Sequence, residues 1–176
     1  NGDDAALLSV GGQVQALTCD HFRAFIDDPW TLTRIAAIHA MGDIWAMGGT
    51  PQAALASLIL PALRPHMQAE TLREIEAAAA SVFAAHGADL VGGHTSVGAE
   101  LTVGFTVTGL LTRAPVGLSG AAPGDVLSLT KPIGSGTLFA ADMQARAAGP
   151  DIAAALQVMM ASSAPASAVL APTRPS

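Results

Sequence analysis

Apolar residues recur at three- and four-residue spacing through Ile35, Ile38, Met41, Ile44, Trp45 and Met47, the period of one helical face, and predict a helix over 31–47. Asp28-Pro29 supplies a side-chain cap with proline at the first helical position, and Gly48-Gly49 supplies the left-handed stop. Upstream, 14–19 reads as a short strand that ends at Asp20. Downstream, 53–60 is an apolar run of strand length, and 68–86 is an alanine-rich helix stopped by Gly87. A brief apolar strand at 89–91, a Gly92-Gly93 turn and a β-branched run at 101–111 follow. Beyond Arg113 the Gly/Pro content marks a linker, after which 125–130 predicts a further strand leading into Gly134-Ser135-Gly136 and a helix. The tail from Ser162 has no usable period, so it reads as weakly ordered or as a cut element. Strands mixed with amphipathic helices give an α/β or α+β class, with one domain over 1–118 and the beginning of a second over 119–176.

Composition narrows the function. The 14 acidic residues outnumber the 8 basic ones, and Lys131 is the only lysine, so no basic surface exists to neutralise a nucleic-acid backbone. No apolar run reaches the ~18 residues needed to span a bilayer, and no membrane partner is expected. A single cysteine, Cys19, excludes an internal disulfide and fits a reducing cytoplasm. Within an apolar strand and beside Asp20, Cys19 reads as a buried, inert thiol.

The candidate chemistry lies in carboxylates at the ends of elements: Asp3 and Asp4 at the start, Asp20 at the end of the first strand, and Asp43 late in the first helix. Carboxylates gathered from separate elements suit a hard cation such as Mg²⁺, which takes oxygen ligands and bridges to the phosphates of ATP. The same residues also fit a solvated terminus, a strand cap and the polar side of a helix. Asp43 has apolar neighbours nearly all round, so its carboxylate needs a partner; His39, one turn earlier, is placed to donate to it or to serve as an ordinary helix histidine. Gly92-Gly93-His94-Thr95 could offer backbone N–H groups and a hydroxyl to a phosphate, or be a plain turn. LTKPIGSG lacks the order of a Walker A loop, and Lys131 is not assigned to phosphate.

Read in order, GDDAALL, the block from Thr18 to Pro51 (D-x-F, DDP, TRIAA, GD, AMGG-x-P), GADLVGGHT, GFTVTGLL and LTKPIGSG resemble the selenophosphate synthetase family. The GDDAA opening is shared with AIR synthase, thiamine-monophosphate kinase and the hydrogenase maturation factor HypE. The resemblance implies a mixed α/β sheet with flanking helices, whose strands pair with those of a second copy in a homodimeric barrel. It implies Mg²⁺ ligation by Asp4 and Asp43 with Asp20 beside the metal and phosphates. Gly2, Asp3, Thr18, Gly93, His94 and Thr95 would line the ATP. The implied reaction converts ATP, selenide and water to selenophosphate, orthophosphate and AMP. The family's catalytic cysteine or selenocysteine and its lysine lie upstream of GDDAA, so no catalytic residue is expected within 1–176, and the isolated segment is expected to be inactive. Cys19 stands where the family has threonine, and Gly42-Asp43 replaces its Ser-Asp. Two other readings stay open: another ATP-using enzyme such as a thiamine-monophosphate kinase, and a non-catalytic nucleotide-binding or dimerisation module.

Overall fold

The computed structural model describes residues 3–170. Its first elements are β1 (Ala6–Val10) and β2 (Gln13–Arg23), joined through Gly11-Gly12. Both glycines have left-handed φ, +59° and +81°, the geometry of a two-residue hairpin turn that matches the twist of the flanking strands. Helix α1 (Pro29–Ala46) begins as the sequence predicts: the Asp28 carboxylate accepts from the N–H groups of Trp30 and Thr31, with Pro29 at the first position. It ends in a Schellman motif, in which Gly48 N–H donates to Trp45 O at 3.0 Å and Gly49 N–H to Ile44 O at 2.8 Å.

Strand β3 (Thr50–Pro61), helix α2 (Pro65–Ala85) and strand β4 (Asp89–Gly98) form a parallel crossover unit, and β5 (Thr102–Leu111) returns antiparallel. The sheet order is β1-β2-β5-β3-β4, so β5 lies at its centre. Alternation decides what each face does. Val103, Phe105 and Val107 of β5, with Ala16 and Thr18 of β2 and Ala54 and Leu58 of β3, are buried beneath α1 and α2. The opposite face carries Leu8, Val10, Cys19, Leu55 and Ile59, all exposed. Residues 112–134 contain no helix or strand. Three helices follow, α3 (Ser135–Asp142), α4 (Gly149–Met160) and α5 (Ala164–Leu170), of which α4 and α5 pack on α1. No single helix among the described residues is long and apolar enough to cross a membrane.

The mixed α/β class holds, but the sequence reading placed neither β1 nor α4, read the stretch that forms α5 as weakly ordered or cut, and differs at four further points. β2 runs past Asp20 to Arg23, because its pairing with β5 continues to Thr102. Gly92-Gly93 is no turn: β4 continues through it with a bulge, in which Val91 is the extra residue between the pairs Ala54↔Leu90 and Leu55↔Gly92. Cys19 is exposed, since its neighbours Thr18 and Asp20 take the helix-covered face and period-two alternation sends it to the other. The strand-like segment 125–130 pairs with nothing regular, and Val126 and Leu127 are exposed.

Candidate metal and nucleotide site

Thr18 and Asp20 are two residues apart on β2 and therefore project from the same face, toward α1. Asp43 comes down on them from the last turns of α1, and Thr18 Oγ1 donates to Asp43 Oδ2 at 2.6 Å. Burial pushes the Asp43 carboxyl up to about 6; the negative charge of Asp20 adds to the rise, and the Thr18 hydrogen bond opposes it. Asp20 Oδ2 is buried and accepts no hydrogen bond among the described residues. The imidazole of His39 lies beside it, with Nε2 at 3.9 Å, beyond hydrogen-bonding reach. His39 thus faces Asp20 rather than bonding Asp43, with its ring edge against Phe22 at 5.0 Å.

Two close carboxylates, one with an unsatisfied buried oxygen and the other raised toward protonation, form an arrangement that a cation would relieve. The donor set is all oxygen, which fits a hard divalent ion that completes its shell with water and phosphate. Asp43, Gly42 and His39 form part of the wall of a cleft of about 520 Å³, whose other side is built by Lys131 to Ser135 and by Asp151 and Val158 of α4. That volume suits a small-molecule ligand.

The other predicted residues lie elsewhere. Asp4 is exposed ahead of β1, and among the described residues no group of three or more His, Cys, Asp or Glu side chains is gathered to hold a metal unaided. Asp3 is spent on structure: its Oδ1 accepts from Leu118 N–H at 2.9 Å, tying the start of the chain to the segment after β5. Gly2 lies outside the described residues. Gly93 shares a cross-strand row with Asp20 through Phe105 and Ala56, three strand spacings or about 14 Å away. A Cβ on Gly93 would stand 2.3 Å from the Ala56 carbonyl oxygen, so close strand approach alone requires glycine there. His94 and Thr95 are exposed on the edge strand β4 and are not brought to the Asp20–Asp43 pair. The sequence reading considered the LTKPIGSG run but gave no site role to Lys131, Gly134 or Ser135, which line the cleft. The glycine-flanked run that holds them was the available signal.

Residues 2–111 match the family described as AIR synthase related protein, N-terminal domain. The chain is similar to the selenide, water dikinase of Geobacter metallireducens, 41% identical over 148 residues that cover 81% of this chain and 43% of that protein. It is also similar to the selenide, water dikinase of Nitratidesulfovibrio vulgaris strain DP4, at 38% identity, covering 80% of this chain and 40% of the relative. The chain therefore spans less than half the length of these curated relatives. Its fold is that of a solved structure described as AaThiL complexed with AMPPCP and TMP, with a TM-score of 0.78 at 22% identity, covering 97% of this chain and 57% of that one.

Proposed function

The chain belongs to the AIR synthase related protein family, and from that premise we propose that it is the nucleotide-binding part of an enzyme making selenophosphate from selenide, ATP and water. One observation carries the reading: within the Thr18 to Pro51 block that resembles selenophosphate synthetases, Asp43 lines a ligand-sized cleft and lies beside Asp20, which has an unsatisfied buried carboxylate oxygen. Phosphoryl transfer asks a protein mainly to position groups and to neutralise charge. Asp43 and Asp20 would hold Mg²⁺, with Asp4 as a further ligand, and the ion would offset the charge of the ATP phosphates. Thr18, on β2, positions Asp43 of α1 by its hydrogen bond. Gly2, Asp3, Gly93, His94 and Thr95 stay in the proposal as nucleotide contacts, and residues 119–176 as the beginning of a second domain. A thiamine-monophosphate kinase activity rests on likeness of fold alone.

The exposed apolar side chains Leu8, Val10, Leu55 and Ile59 share the helix-free sheet face, which supports a homodimer that covers it. Sedimentation at tens of micromolar returns a dimer in this account, and a monomer removes that part of it.

The substrate assignment is tested by ³¹P NMR on the complete gene product that carries this chain, incubated with Mg-ATP under anaerobic reducing conditions. A selenophosphate resonance with AMP and orthophosphate, formed only when selenide is added, is the expected outcome. Intact ATP, or ADP as the sole product, refutes the selenide reading.

A further inference from the structure

Lys131 is the chain's only lysine, and the fold places it on the wall of the cleft that Asp43 and His39 also line. Its ammonium donates to the carbonyl of Ala161, the residue that caps the C-terminal end of α4. That contact engages one of three N–H donors and supplies no full negative charge. The ion pairs among the described residues are Arg23–Glu100 and the loose His39–Asp20 contact, and neither includes Lys131. Asp151 lines the same cleft without pairing with it. Burial lowers the pKa of Lys131, and among the described residues no carboxylate offsets the effect. The surrounding wall is largely aliphatic, with Ile35, Ile38, Ile133 and Leu138.

The cleft wall therefore carries an ammonium short of an anion and Asp43, one member of a carboxylate pair short of a cation. A polyphosphate chelated to a divalent cation satisfies both at once, the cation meeting the carboxylates and a phosphate oxygen meeting the ammonium. We propose that Lys131 is a phosphate-binding residue, contacting the polyphosphate of the nucleotide whose cation-bound end lies at Asp20 and Asp43. The proposal rests on the nucleotide reading above and adds to it a residue that closes the cleft's charge balance from the α4 side.

The test is isothermal titration calorimetry of the wild-type chain and of Lys131→Gln with ATP and with inorganic tripolyphosphate, each in excess Mg²⁺. Lys131→Gln weakens both ligands at least tenfold, and Lys131→Arg recovers part of the loss, since a guanidinium also donates to phosphate. Equal affinities in wild type and Lys131→Gln overturn the proposal and leave the nucleotide reading standing. Lys131-dependent binding of tripolyphosphate without binding of ATP supports the phosphate site and removes the nucleotide. No binding of either ligand by the wild-type chain overturns both. If circular dichroism shows that Lys131→Gln does not fold, Lys131→Met, which keeps the aliphatic stem, decides the comparison in its place.

Discussion

Asp43→Asn makes the unliganded protein more stable at pH 7, by about 1 kcal/mol or roughly 2–4 °C in Tm for a chain of this size. Most point substitutions destabilise, so the sign is informative. The Asp43 carboxyl titrates at about 6 because burial, and then the charge of Asp20, disfavours its ionised form. A folded pKa above the unfolded value contributes stability that is fully present below the unfolded pKa of 3.8 and lost as pH rises through about 6. The wild-type protein should lose stability relative to Asp43→Asn across that window, and the two should converge near pH 4. The full linkage value is discounted because Asp43 keeps substantial solvent contact. Asparagine keeps an acceptor for Thr18, so the local bond survives. Thermal melts of both proteins between pH 4 and 8 without added metal are the check; a parallel pair of curves contradicts the proposed strain.

Phe105→Ala lowers stability by about 3–5 kcal/mol, a large share of what a domain of this size possesses. Phe105 is fully buried on the central strand β5, and its ring meets Phe83 of α2 edge-on, with centroids 5.1 Å apart. It thus joins the sheet to α2, and truncation leaves a cavity that the flanking strands cannot close. Its register partner on β2 is Asp20, so the same cavity loosens the carboxylate pair. Urea denaturation followed by circular dichroism measures the loss, and a change under 1 kcal/mol would show that the site collapses around the missing ring.

The sequence discloses most where a local signal decides the structure. Asp28-Pro29 and Gly48-Gly49 bracket α1, and Gly87 ends α2 with a left-handed φ of +72°, because caps and stops act within one turn. It discloses less where the partner is distant. Gly92-Gly93 has the composition of a turn, yet β3 lies close enough alongside to hold both glycines in a strand, and only pairing with Leu55 and Ala56 reveals it. Segment 125–130 has strand composition but no neighbouring strand to pair with among the described residues. The hairpin of β1 and β2 through Gly11-Gly12 was not anticipated, although paired glycines between strands favour that two-residue turn. At the site, the family resemblance named Asp20 and Asp43 for the metal and Thr18 for the nucleotide, but not the Thr18–Asp43 hydrogen bond. The face each takes could not be anticipated, and neither could the arrival of Lys131 at the same cleft, because both depend on how α1 and α4 pack.

The most direct test of the site is a Mn²⁺ titration, followed by the electron paramagnetic resonance signal of the free ion, with wild type and Asp43→Asn and with or without ATP. The account predicts that ATP strengthens Mn²⁺ binding by the wild-type chain and that Asp43→Asn weakens this nucleotide-dependent binding at least tenfold while the fold persists. Nucleotide-dependent Mn²⁺ binding of equal strength in the two proteins would contradict it.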